Sequence, residues 1–302
     1  MPQSGGRARR TTILRAAIVC VGLALAWLLV NPARPDRFSL SSRALGQTRH
    51  ILVHVPRGYE ASARSYSLLV LLDGGDQKAH SADKPLYSRS VEVLQRLEDE
   101  AFPPVILVGI ENRNRVQDMT PVKRPDIYVG GGGALAFMRF IETEVVPFVE
   151  RRWRVGTMRI LYGESYGGLF VLDVLARGSR AFTDYIAVSP AVGVWPDGLA
   201  DAILRRFPRA SPGTGSVQGA GRSAGAPSRP PGGASVFIVY GEHDAPLVRD
   251  YAPFFIRTAE GTLPAGFELG HEVLAGEGHD PPASLERGLR FVFRNEQRGS
   301  GE

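Results

Sequence analysis

Two stretches, Ser67–Leu72 (SLLVLL) and Val105–Ile110 (VILVGI), are apolar at nearly every position and only six residues long. Runs this short suit strands covered on both faces, as in a parallel sheet sandwiched between helices. Between them Val91, Leu94, Leu97 and Ala101 recur at helical spacing. The alternation then continues. Ala134–Val149 reads as a helix bent or ended near Pro147, Met158–Tyr162 as a strand and Gly168–Ala176 as a helix. Tyr185–Val188 and Val236–Tyr240 read as strands, Pro246–Thr258 as a helix, Phe267–Leu274 as a strand and Ala283–Phe293 as a helix. Ahead of them, His50–Val55 has the mixed pattern of a strand with one solvated face. This order predicts an α/β fold with a mostly parallel central sheet and helices on both faces.

The 302 residues, 43% of them hydrophobic, suffice for one large domain with a sizeable core. That domain is expected over residues 37–297. Pro208–Ala234 interrupts it with Gly, Pro, Ser, Ala and Arg and almost no large apolar side chain, which predicts a disordered insertion. The net charge of +5 is not gathered on one element, so nucleic-acid binding is not expected. Cys20 is the single cysteine, which excludes an internal disulfide and a cysteine-built zinc site.

Residues 1–31 form a separate region. Arg7, Arg9 and Arg10 lead into Thr12–Val30, an apolar run of 19 residues with one charge, Arg15, near its start and ended by Asn31-Pro32. At 1.5 Å per residue such a helix spans roughly 28 Å, close to the hydrocarbon core of a bilayer. The basic flank predicts a cytoplasmic N-terminus and a domain on the periplasmic or extracellular side of the membrane. A cleaved signal peptide, giving a secreted domain, and a buried helix are the competing readings.

Gly163-Glu164-Ser165-Tyr166-Gly167 is a Gly-x-Ser-x-Gly pattern, common by chance in a chain with 35 glycines. Its flanks give it meaning, because the strand MRILY runs into it and the helix GGLFVLDVLA runs out of it. A serine on that tight strand–turn–helix is the nucleophile elbow of the α/β-hydrolase fold. Ser165 is then the candidate nucleophile, and the Tyr166 N–H at the helix start is a candidate oxyanion donor. The plain alternative is an ordinary tight turn.

Such a serine needs a base, and in this fold the acid and then the histidine follow it in the chain. Of His243, His271 and His279, only His279 sits in a turn-rich loop after a strand and before the last helix, so it is the candidate base. Asp244, in the loop Gly241-Glu242-His243-Asp244, is the first choice for the acid. Glu242 and a Ser–His pair without an acid stay open. Gly74, or its neighbour Gly75, is the candidate second oxyanion donor, with a simple turn as the alternative.

Beyond these motifs, LLVLLDG, GIENRNRVQDMTP, RILYGESYGGLFVLDVL, YIAVSPAVGVW and GHDPPASLERGLRFVF occur in one order over most of residues 48–295. In that order the chain resembles the putative-esterase family of the α/β hydrolases, which includes the enterochelin and salmochelin esterases. The resemblance implies hydrolysis of small-molecule carboxylic esters by Ser165 and His279, with no metal, cofactor or protein partner. It also implies that Arg113 or Arg115, in the segment Arg115-x-x-Asp118-x-Thr120-Pro121, faces the substrate cleft. Alternatively, Arg115 and Asp118 pin their loop to itself. Glu164, before the nucleophile, departs from the family's usual histidine.

The expected reaction is therefore acyl transfer from an ester to water. An acyltransferase on the same site is the second reading. A membrane-tethered binding protein that has lost activity is the third, and an intact Ser, His and acid argue against it.

Overall fold

The computed structural model describes residues 36–75, 84–207, 234–263 and 267–299. The anchor or signal segment at 12–30 lies outside them, as does the insertion at 208–233; Ala234 already opens a strand. Among the described residues no helix is long and apolar enough to cross a membrane.

The strands are β1 (Asp36–Ser42), β2 (Gln47–His54), β3 (Tyr66–Leu71), β4 (Val105–Ile110), β5 (Val155–Glu164), β6 (Asp184–Val188), β7 (Ala234–Gly241) and β8 (Phe267–Leu274). They form one sheet in the order β1-β2-β4-β3-β5-β6-β7-β8. From β4 to β8 every neighbouring pair is parallel, and β2 runs antiparallel to β4. The chain therefore steps from β3 outward to β4, then returns across β3 to begin β5. The carboxyl ends of β3 and β5 flank that reversal, where open α/β sheets form a crevice.

The predicted burial of β3 and β4 follows from their neighbours. Leu68, Val70 and Leu72 enter one apolar layer, and the alternate Leu69 and Leu71 enter the other. Helix α1 (Leu86–Asp99) covers the second layer with Leu86, Tyr87, Leu94 and Leu97. Helix α9 (Ser284–Gly299) covers it too, through Leu285, Leu289, Val292 and Phe293. The first layer receives α2 (Arg115–Met119), α3 (Ala134–Phe140), α4 (Val146–Glu150), α5 (Tyr166–Arg177), α6 (Pro196–Arg206), α7 (Pro246–Arg249) and α8 (Ala252–Glu260).

Two expected helices differ in detail. The stretch expected to be helical over Ala134–Val149 is helical as far as Glu150, and what marks the approach to Pro147 is a change of winding. A π turn, Ile141–Val145, joins α3 to α4, and the Val146 N–H reaches back to the Ile141 carbonyl. Proline cannot donate to the carbonyl four residues earlier and its ring would press on it, so a wider turn there keeps the helix going. The helix expected over Pro246–Thr258 is two helices, broken at 250–251. Pro253 provides the reason, since it fits the first turn of α8 but not the interior of a longer helix. Strand β1 and helices α2 and α6 were not legible in the pattern.

Candidate active site

Strand β5 delivers Ser165 at the central crevice. The residue adopts φ 58° and ψ −113°, a strained conformation for a residue with a side chain. The turn is braced from three sides. The Ser165 N–H donates to Val188 O at 2.9 Å, and its carbonyl accepts from Leu169 at 3.0 Å and Ala191 at 3.1 Å. The glycines are there for space, because a Cβ on Gly163 would lie 2.5 Å from the Gly167 backbone. From Leu161 to Ala176 every residue is buried except Ser165 and Tyr166, so the elbow opens to solvent only at that pair. The Tyr166 N–H, first in α5, has no hydrogen-bond partner among the described residues.

Gly74 does not fit the role expected of it. Its N–H is taken by Ile110 O at 2.9 Å, and a Cβ would lie 2.3 Å from the α carbon of Gly109. The residue is glycine because β3's exit packs directly on β4. The Gly75 N–H, one residue on, has no partner among the described residues.

The acid and the histidine meet across β7 and β8. The His243 N–H donates to Glu277 O at 2.9 Å, and a Cβ on Gly241 would lie 2.1 Å from Gly278 O. Only a glycine lets the two loops approach this closely. Asp244 Oδ1 then lies 2.6 Å from His279 Nδ1. An ionised carboxylate can only accept, so Nδ1 carries the proton and Nε2 is left with its lone pair free to accept one. Glu242 is elsewhere: its Oε2 accepts the Gly276 N–H at 2.9 Å. His271 is exposed on β8.

Asp244 is held by more than the histidine. Ser189, after β6, donates to its Oδ2 at 2.6 Å, and the Ala245 N–H reaches its Oδ1 at 2.7 Å. Burial would raise the Asp244 carboxyl, but the hydrogen bonds from His279 and Ser189 outweigh it and hold it below the usual range. The same bond to Asp244 raises His279, against burial, with Asp280 adding to the rise. No hydrogen bond joins His279 to Ser165. Nε2 instead faces Asp280 Oδ2 at 3.5 Å.

Arg115 does not pin its loop to itself. Its Nε donates to both Asp73 oxygens at 3.0 Å, and its Nη2 to Glu164 O at 2.8 Å, tying β3's exit to the elbow. Its guanidinium lies 5.4 Å from the Tyr166 ring centroid, and about a third of its side chain stays exposed. Asp118 pairs with Arg49 instead, through two 2.7 Å bonds between fully buried groups. Arg113 is exposed.

Glu164 points under the site. Tyr162 donates to its Oε1 at 2.7 Å, and Arg89 lies 3.8 Å from its Oε2. Burial, then the charge of Asp280, pushes Glu164 up to about 7. Burial likewise raises Asp280 to about 6, against His279 and Arg115. Ser189, Asp73 and Asp280 were missed by sequence reasoning. Each follows a strand's carboxyl end or the candidate base, which is the one signal that pointed to them.

A mostly parallel sheet in this order, with an elbow after β5 and a carboxylate–histidine pair after β7 and β8, defines an α/β-hydrolase fold. Among solved structures, an IroE-like serine hydrolase from Shewanella oneidensis superposes with a TM-score of 0.69 at 24% identity, covering 86% of this chain and 80% of that one. Residues 42–262 match the family described as Putative esterase, and the chain belongs to that family. The apo-salmochelin esterase of Escherichia coli O6:H1 is 30% identical over 158 residues, 47% of each chain. The ferri-bacillibactin esterase BesA of Bacillus subtilis is 31% identical over 175 residues, 51% of this chain and 57% of that one. The chain thus spans about half the length of the curated relatives it matches.

Proposed function

We propose that the protein is a serine hydrolase that cleaves small-molecule carboxylic esters through an acyl-enzyme on Ser165. The observation that carries this reading is the 2.6 Å Asp244–His279 contact in the loops beside an elbow that exposes Ser165. His279 Nε2 takes the Ser165 proton as Oγ attacks the ester carbon. The carbonyl electron pair moves onto oxygen, which the N–H groups of Tyr166 and Gly75 receive. The tetrahedral species collapses, the C–O bond breaks and Nε2 returns the proton to the departing alcohol. Water then repeats the sequence and releases the acid. Arg115 positions the elbow through Glu164 O and offers its exposed edge to the substrate, with Arg113 at the rim of the same loop.

The names of the two bacterial relatives make siderophore esters the first substrates to screen. A fluorophosphonate probe should label wild type on the peptide containing Ser165 and leave Ser165→Ala unlabelled. Labelling of both proteins refutes the assignment. On the apolar run at 12–30, we also propose that the domain works outside the cytoplasmic membrane. A phosphatase reporter fused after residue 37 should be active, as that enzyme is only outside the reducing cytoplasm, and an inactive fusion rejects export.

A further inference from the structure

The carboxylates around Ser165 differ in what neutralises them. Asp73 is tied to Arg115, Asp244 to His279 Nδ1, and Glu164 to Tyr162 with Arg89 beyond it. Asp280 receives no hydrogen bond on its carboxylate among the described residues and has only the nearby charges of His279 and Arg115 to offset it. Its Oδ2 lies 3.5 Å from His279 Nε2, and its buried Oδ1 accepts no hydrogen bond.

Asp280 is also held in place. Its backbone takes φ 54°, and its N–H donates to Ser189 Oγ at 3.0 Å, on the same hydroxyl that grips Asp244. A side chain on that backbone keeps its place beside the imidazole instead of sweeping with a loose loop.

The position of Nε2 decides what Asp280 will meet. In acyl transfer this nitrogen gives its proton to the alcohol oxygen as the C–O bond breaks, so that oxygen sits within about 3 Å of it. A carboxylate oxygen 3.5 Å from the same nitrogen therefore borders the alcohol half of the ester. An alcohol with a donor group near its ester oxygen would satisfy the partly buried carboxylate, whereas an apolar alcohol would strip water from it without replacement.

We propose that Asp280 is a specificity-determining residue that selects esters whose alcohol half carries a hydrogen-bond donor beside the ester oxygen, most strongly a primary ammonium. This rests on the serine-hydrolase reading of the same site.

The test compares the 2-aminoethyl, 2-hydroxyethyl and propyl esters of benzoic acid. Wild type should favour aminoethyl over propyl by about 10-fold or more in kcat/KM, with hydroxyethyl between them. Asp280→Asn should bring aminoethyl and propyl to within about twofold, and Asp280→Ser should do the same if the asparagine variant misfolds. Equal turnover of all three esters by wild type, or an undiminished preference in a folded variant, overturns the proposal and leaves the esterase reading standing. No turnover of any ester, with Ser165 unlabelled by fluorophosphonate, overturns both.

Discussion

The Ser189 hydroxyl donates to Asp244 Oδ2 at 2.6 Å, on the oxygen opposite the one that reaches His279. The acid is gripped on both sides, and Ser189 itself is fixed at φ 43° by the exit of β6. Ser189→Ala should leave substrate binding intact and let the carboxylate swing, lowering kcat and kcat/KM together by about 10-fold. A change confined to KM would place Ser189 in substrate binding instead.

Asp244 and Glu242 are two residues apart and both looked eligible as the acid. Only Asp244 touches the imidazole, while Glu242 clasps the Gly276 N–H. Asp244→Asn should therefore lower kcat by about 10³–10⁴-fold through the wrong tautomer, and Glu242→Gln should stay within about twofold. Steady-state kinetics on one activated ester decide between them, and the reverse ranking would reassign the acid.

How far the sequence reaches is visible in these same residues. The elbow was legible because its constraint is local: a strand, a Gly-bounded serine and a helix lie in one stretch of chain. The place of His279, in a loop after the last strand, was legible from chain order. Asp244 was the first choice over Glu242, but the contact that separates them was hidden, because it depends on how closely the Gly241 turn lets the β7 loop approach Gly278. The roles of Arg115 and Asp118 were also hidden. Their partners are far away in sequence, Asp73 in the turn after β3 and Arg49 on β2. Gly74 misled for a related reason, since its close neighbour Gly109 lies on another strand. Strand β1 was lost in a spacer with no apolar run to mark it.

The Arg49–Asp118 pair is fully buried, at 2% and 3% side-chain exposure, and clamps α2 under the first strands. Removing one member leaves a charge without a partner in the core. Arg49→Met should cost about 3–5 kcal/mol in chemical denaturation, and Arg49→Met with Asp118→Leu should recover much of it. If the double variant is as unstable as the sum of the singles, the pair is not energetically coupled.

Glu164 sits buried beside Asp280, and its carboxyl is raised to about 7. An unfolded chain ionises this group near its ordinary value of 4.5, so between pH 4.5 and 7 the unfolded state sheds a proton that the folded state keeps. Stability contributed by Glu164 is therefore lost as pH rises through that window. Glu164→Gln can still accept the Tyr162 hydroxyl through its amide oxygen. The variant should match or trail wild type at pH 4 and exceed it above pH 7 by on the order of 1–3 kcal/mol. Denaturation curves at the two pH values give the comparison, and a constant difference would remove Glu164 from the pH response.

The acidic limb of the rate profile should report His279. Its bond to Asp244 raises it above 6.5, and the Asp280 charge adds to that rise while Arg115 opposes it. In the proposed reaction His279 must be neutral to take the Ser165 proton, so kcat/KM on a neutral ester should climb with pH through a midpoint above 6.5. Asp280→Asn removes a negative charge 3.5 Å from Nε2, which makes the imidazolium easier to deprotonate. Its acidic limb should move to lower pH, leaving the variant relatively more active at pH 6 than at pH 8 when each is scaled to wild type. A limb that stays in place would mean that the Asp280 charge does not act on the base.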